Sequence, residues 1–296
     1  MGAHADPRWL AVALAINVAF MVVEVVAGLL ADSLALLSDA AHMLTDVAAI
    51  GLALLAVSLA RRPPSGPFTF GLKRAEILSA QVNGAALLIL AAVIAWEALG
   101  RLGSPPDVDA PFLVAVGLAG AVANGAAAWA LARAGRSSLN VEGAYLHNFA
   151  DLFSSLAAAG AGLAIVLTGF DRADSIAALL VALLMVRGGV GLLIESGRVL
   201  LEAVPRGMDA GEIGGAMAAR DGIVEVHDLH VWEVTSGFPA LSAHVMVSAG
   251  DDCHGRRREL QSMLDERFGI THTTLQVDHA PRPGLVRLDM GEGEPS

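Results

Sequence analysis

Two short spacings carry the chemistry of this sequence. His42 precedes Asp46 by four positions, and His147 precedes Asp151 by four. Four residues are about one turn of α-helix, so each pair points one way from its helix. Both pairs lie in long apolar stretches, where ionisable groups are costly, face the interior of a helix bundle and mark a pathway. One such pair is also explained as a helix-stabilising i,i+4 contact. Two pairs on separate helices are harder to explain so, because each alone would have to offset the cost of its burial. Facing one another, they would present two imidazoles and two carboxylates. That N2O2 set suits tetrahedral zinc and need leave no position open for a water nucleophile.

The elements that must position these pairs are membrane helices. Of the 296 residues, 55% are hydrophobic. Six apolar stretches, Trp9–Leu30, Leu34–Ala60, Glu76–Leu102, Ala110–Arg133, Glu142–Gly169 and Asp174–Ser196, are each long enough to cross a bilayer. The first is too long for a signal-peptide core and lacks its flanks. Arg8, Arg61, Arg62, Lys73, Arg74, Arg133, Arg136, Arg198 and Arg206 fall in the N-terminus and alternate connections. The positive-inside rule then places both termini in the cytoplasm. Abundant Ala, Gly and Ser suit close helix packing.

Polarity changes after Val204-Pro205. Helical patterns at Met208–Arg220 and His254–Phe268 and strand patterns at Val224–Val234, Ala240–Ser248 and Thr273–Asp278 predict an αββαβ cytosolic domain. The expected division is a transmembrane domain at 1–204, a cytosolic domain at 205–282 and a flexible tail at 283–296. The formal net charge is -11, and residues 198–296 hold nine Lys/Arg against sixteen Asp/Glu. This disfavours a nucleic-acid partner and is compatible with cations. The single cysteine, Cys253, excludes a disulfide framework within one chain.

Other buried polar candidates read differently. Asn17, Asn83 and Asn124 suit interhelical hydrogen bonds better than a wet cavity. Glu24 and Asp39 suit either. His230 should alternate to the strand face opposite His227. His4, His272 and His279 read first as ordinary surface histidines.

Together these residues resemble the cation diffusion facilitator family, in particular its zinc-type members. The resemblance rests on the run Ser33 to Asp46, on Phe70-Gly71-Leu72-Lys73-Arg74-Ala75-Glu76, and on His147 with Asp151. It continues through Glu202-Ala203-Val204-Pro205, Val226 to Trp232 and Leu241 to Val245, and so covers nearly the whole chain. It implies an α-helical membrane protein with six transmembrane helices plus a C-terminal α+β, ferredoxin-like (metallochaperone-like) cytosolic domain. It implies a homodimer and metal efflux in exchange for protons, with His42, Asp46, His147 and Asp151 as the transport site. Two His with two Asp is the family pattern linked to zinc. Positions matching His227, His244 and Asp278 bind zinc in family members, and His254 or His272 is a candidate to complete such a site. The loop Arg61–Leu72 has neither carboxylate nor histidine, so the further loop site of some members is expected to be absent.

The function expected is therefore zinc efflux by metal/proton antiport, in a multi-pass protein of the bacterial inner (plasma) membrane and not an enzyme. Zinc needs neutral imidazole and ionised carboxylate. Unperturbed His titrates near ~6.5 and Asp near ~3.9, so protons compete with metal mainly at the imidazoles. The alternatives are a carrier preferring Cd, Co, Fe or Mn, an intramembrane metalloenzyme, and a metal sensor. An enzyme would need an open metal position and a nearby base.

Overall fold

The computed structural model describes residues 6–30, 34–103, 109–136, 138–170 and 172–280, apart from the side chains of 24, 27, 28, 30, 34–42, 45 and 174. The side chains of Glu24, Asp39 and His42, and the tail expected at 283–296, lie outside the described residues. The chain divides into two units: Met1–Leu201 with Val234–Phe238, and Glu202–Glu233 with Pro239–Ser296.

The first unit is helical: α1 (Pro7–Leu30), α2 (Leu34–Ala60), α3 (Ala75–Gly103), α4 (Ala110–Gly135), α5 (Leu139–Thr168) and α6 (Ala173–Leu200). Among the described residues four helices are long and apolar enough to cross a membrane: α3, α4, α5 and the Ser175–Leu200 part of α6. In α1 and α2 the described apolar stretches are Pro7–Val23 and Asp46–Ala60. Large apolar side chains point outward along the bundle, among them Trp96, Val122, Leu167 and Leu183. An outer surface this apolar suits lipid rather than water.

The interior is built from small residues. A Cβ on Gly117 of α4 would come within 2.7 Å of the Ser155 carbonyl oxygen on α5. A Cβ on Gly189 of α6 would come within 2.9 Å of the Gly84 carbonyl oxygen on α3. Such contact between backbones is how helices associate where lipid is as apolar as the side chains. Leu10 and Ala13 of α1, Ile50, Ala53 and Val57 of α2, Ala127 and Leu131 of α4, and Val141 and Ala144 of α5 form one apolar core. The α3–α5–α6 contact has its own core around Leu87, Ala91, Ala150, Val181 and Met185.

Polar ties cross these interfaces. Asn17 Nδ2 on α1 donates to Asn148 Oδ1 on α5 over 3.0 Å, and Asn140 Nδ2 on α5 donates to the Ala53 carbonyl on α2 over 2.9 Å. Asn124 Nδ2 donates to Ser155 Oγ at 3.4 Å. Asn17 and Asn124 are thus interhelical partners, as their types predict. Asn83 is not: it is 2% exposed, and its Nδ2 has no hydrogen-bond partner among the described residues. Opposite Asn83 on α5 stands Gly143, closely packed against it, which offers no acceptor side chain.

The second unit holds α7 (Ala210–Ala218), β1 (Ile223–Glu233), β2 (Pro239–Val247), α8 (Cys253–Phe268) and β3 (His272–His279). Asp209 caps α7 by accepting from the Glu212 amide, and Asp252 caps α8 by accepting from the His254 amide. Gly269, in the left-handed region at φ 67°, ends α8. The sheet order is β1-β2-β3, with β1 antiparallel and β3 parallel to β2. Leu241, Ala243, Val245 and Val247 face Ile213 and Met217 of α7 and Leu260 and Leu264 of α8 in one core. The opposite sheet face carries polar side chains, among them exposed His227 and half-buried Ser242 and His244.

Candidate metal site between α2 and α5

Asp46, His147 and Asp151 meet inside the helical unit. Asp46 is fully buried, His147 is 2% exposed and Asp151 5%. His147 Nε2 lies 2.9 Å from Asp46 Oδ1 on the neighbouring helix and 3.8 Å from Asp151 Oδ2 one turn along its own. One donor atom from each of the three lies within 4.8 Å of the others. No other group of three or more His, Cys, Asp or Glu among the described residues is gathered so closely.

These distances suit one small cation. Zinc bonds to His and carboxylate are about 2.0–2.2 Å, which makes the edge between neighbouring ligands of a tetrahedron about 3.3–3.6 Å. The separations of 2.9 and 3.8 Å bracket that edge. The helices explain the placement. Val141 and Ala144 on α5 pack with Ile50 and Ala53 on α2, and Asn140 hydrogen-bonds the α2 backbone at Ala53. Asp46 and His147 then meet one turn from this apolar seam on their respective helices.

The candidate ligands of the cytosolic unit are not gathered in the same way. His227 and His244 are register partners on β1 and β2, with ring centroids 5.4 Å apart and nearly perpendicular. Asp278 pairs with Met246, two residues along β2 from His244, and so shares their strand face; its carboxylate accepts from Gln276 Nε2 at 2.8 Å. His272 is paired with Ala240 at the start of β3 and is exposed. His254 lies in the first turn of α8, on the helix that covers the other sheet face.

The expectation for His230 is corrected. It does not oppose His227. The β1 register shifts between His227 and His230, and Asp228 within that shift adopts φ 52°. His227 pairs with His244 and His230 with Ser242, and these partners are two apart on β2. A bulge adds one residue and so restores the face that simple alternation would have reversed. His230 Nε2 lies 2.9 Å from Asp228 Oδ1.

Comparison with known proteins gives the class. Residues 10–201 match the family model for the cation efflux transmembrane domain, and residues 205–280 match that for the cation efflux protein cytoplasmic domain. The chain belongs to the cation diffusion facilitator, or cation efflux, family. Among its relatives, the zinc transporter ZitB of Escherichia coli (strain K12) is 39% identical over 281 residues, covering 94% of this chain and 90% of that one. The cadmium, cobalt and zinc/H(+)-K(+) antiporter of Bacillus subtilis (strain 168) is 36% identical over 264 residues, covering 88% and 85%. The solved metal-bound C-terminal domain of the CzcD transporter from Cupriavidus metallidurans is 35% identical and covers 24% of this chain and 97% of that one, with a TM-score of 0.23.

Proposed function

We propose that this protein exports zinc, exchanging it for protons through a site made of His42, Asp46, His147 and Asp151. The observation that carries the reading is the burial of Asp46, His147 and Asp151 within bonding reach of one cation, in a chain of the cation efflux family. His42 is one turn from Asp46 on α2 and is the natural fourth ligand. Neutral imidazole binds metal and protonated imidazole does not, so each ion that enters displaces protons. Rocking of α2 and α5 against the other helices would open the site alternately to each side. A carrier needs no open metal position, which favours transport over hydrolysis at this site.

The orientation follows from charge. Arg61, Arg62, Lys73, Arg74, Arg133 and Arg136 flank the helix ends at α2–α3 and α4–α5. Trp9 packs edge-on against Trp129, and the Arg133 guanidinium lies over the Trp129 ring. Such a belt of aromatic and basic groups marks a membrane interface, and its positive charge marks the cytoplasmic one. The protein then lies in the bacterial inner membrane with both termini inside. We assign residues 1–204 to transport, 205–282 to a cytosolic metal-binding and dimerisation domain, and 283–296 to a tail. His227, His244 and Asp278 are the first candidates for cytosolic zinc, with His254 and His272 as outer ones.

The test is flux in proteoliposomes holding the purified protein under an imposed pH gradient, comparing Zn2+, Cd2+, Co2+ and Mn2+. Zinc flux abolished by Asp46→Ala and by His147→Ala supports the reading. Zinc flux that survives either substitution overturns it. A broader cargo set is favoured by the cadmium and cobalt in the name of the Bacillus relative, and the same comparison of metals decides it.

A further inference from the structure

We propose that Glu76, Ser79 and Asn83 on α3 line a narrow hydrated route that carries protons between the metal site and the end of the bundle where α3 and α5 begin. The inference rests on the proton exchange proposed above. Glu76, Ser79 and Asn83 stand at i, i+3 and i+7 and so share one helix face. A strip of acid, hydroxyl and amide is unexpected in a helix otherwise so apolar. All three are inside the protein, 7%, 3% and 2% exposed. Burial of polar groups is costly unless they are hydrogen-bonded. Yet Ser79 Oγ and Asn83 Nδ2 have no hydrogen-bond partner among the described residues. Ordered water is the usual partner of such groups.

The strip leads to the metal site. Asn83 lies against Gly143 of α5, where an added Cβ would come 3.3 Å from Asn83 Nδ2, 3.2 Å from its Cβ and 2.9 Å from Leu192 Cδ2. Gly143 is one turn from His147 on the same helix face. At 1.5 Å per residue, Glu76 to Asn83 spans about 10 Å and Gly143 to His147 about 6 Å. At the outer end, Ser138 and Thr235 bring their hydroxyls toward the Glu76 carboxylate without closing a hydrogen bond, and Lys73 and Arg61 are the charges that face it. Thr235 groups with the helical unit. Single waters paired to Ser79 Oγ and Asn83 Nδ2 would complete the hydrogen bonding of these buried groups and link them along the helix face. A proton released at the site would pass along those waters to the Glu76 carboxylate and from it to solvent.

The experiment uses the full chain in proteoliposomes with a trapped pH-sensitive dye, and zinc binding by calorimetry in detergent. Asn83→Leu is expected to lower zinc-driven proton flux about tenfold, the equivalent of one lost hydrogen-bonded step. Zinc affinity and the absorption spectrum of Co2+ bound at the site should stay as in the parent. Asn83→Ser should restore flux, and Glu76→Gln should lower it without changing affinity. Ser79→Ala, a small change at a buried position, repeats the test if Asn83→Leu does not fold. Wild-type flux in Asn83→Leu or Ser79→Ala overturns the route, as does joint loss of flux and affinity that Asn83→Ser does not rescue. A parent protein that moves zinc without moving protons overturns the exchange reading instead.

Discussion

His147 is closer to Asp46 on the neighbouring helix than to Asp151 on its own, 2.9 Å against 3.8 Å. The contact that organises the site therefore runs between helices. An i,i+4 pair could form in any isolated helix, but the Asp46–His147 contact exists only when α2 and α5 are docked. A cation held there would tie the two helices together, so that metal binding and helix docking would be one event.

Removing the carboxylate from that contact separates the two contributions. Asp46→Asn keeps the shape and loses the charge. Zinc affinity at the site should fall by roughly 100-fold or more, since even outer-sphere partners of a metal ligand are worth 10–100-fold. Calorimetry on the purified variant measures this. Affinity within a few-fold of the parent would remove Asp46 from the ligand set.

The long elements of the fold were legible in the sequence because lipid imposes a simple code: apolar runs of sufficient length with charge at their ends. The His147–Asp151 spacing was legible for the same local reason. Asp46 and His147 were expected in one site, but that His147 lies nearer Asp46 than Asp151 was not legible, since it depends on how α2 docks on α5 through Ile50, Ala53, Val141 and Ala144. The bulge at Asp228 was hidden too. Strand alternation assumes regular pairing, and nothing in the types His227-Asp228-Leu229 breaks the pattern. The lone amide of Asn83 was invisible because a glycine, not a polar side chain, stands opposite it.

Helix docking predicts a sharp contrast between glycines. A Cβ at Gly117 would meet the Ser155 carbonyl oxygen at 2.7 Å and the Ala159 amide nitrogen at 2.8 Å, both backbone atoms that cannot turn aside. Gly117→Ala should destabilise the bundle by about 1–3 kcal/mol, the usual cost of overpacking. A Cβ at Gly100 meets nothing within 4 Å, so Gly100→Ala should be neutral or stabilising. Thermal unfolding of both variants in the same detergent makes the comparison, and equal effects would contradict the docking described.

The Asn17–Asn148 hydrogen bond couples α1 to the residue beside His147. A double-mutant cycle of Asn17→Ala and Asn148→Ala should give a coupling of about 0.6–1.7 kcal/mol, as for other hydrogen bonds between membrane helices. Additive effects would show that the amides are held independently.

In the cytosolic unit, the candidate zinc ligands His227 and His244 are cross-strand partners with ring centroids 5.4 Å apart. His244→Ala should weaken the binding of a cytosolic zinc ion by at least about tenfold. The Asp46–His147–Asp151 site should keep its affinity. Calorimetric titration of the full chain resolves the two as separate phases, and a variant that loses neither phase would leave the histidine pair as an ordinary surface feature.

The start of α8 should respond to acid. Hydrogen bonds from the Gly255 and His254 backbone amides hold the Asp252 carboxyl below the usual range, helped by the positive charge of Arg258. The group is depressed in the folded state, so its contribution is fully present above the unfolded value near ~3.9 and is lost as pH falls through the lower folded value. The first turn of α8 should therefore keep its protection from neutral pH down to about pH 4 and lose it only below that. Asp252→Asn keeps a capping oxygen and removes the titration. Hydrogen exchange of the full chain, read at residues 254–256 and corrected for the intrinsic pH dependence of exchange, should show the acid response in the parent and none in Asp252→Asn. An identical acid response in both would place its origin elsewhere, with the nearby Asp251–Arg256 ion pair at 3.0 Å as the next group to remove.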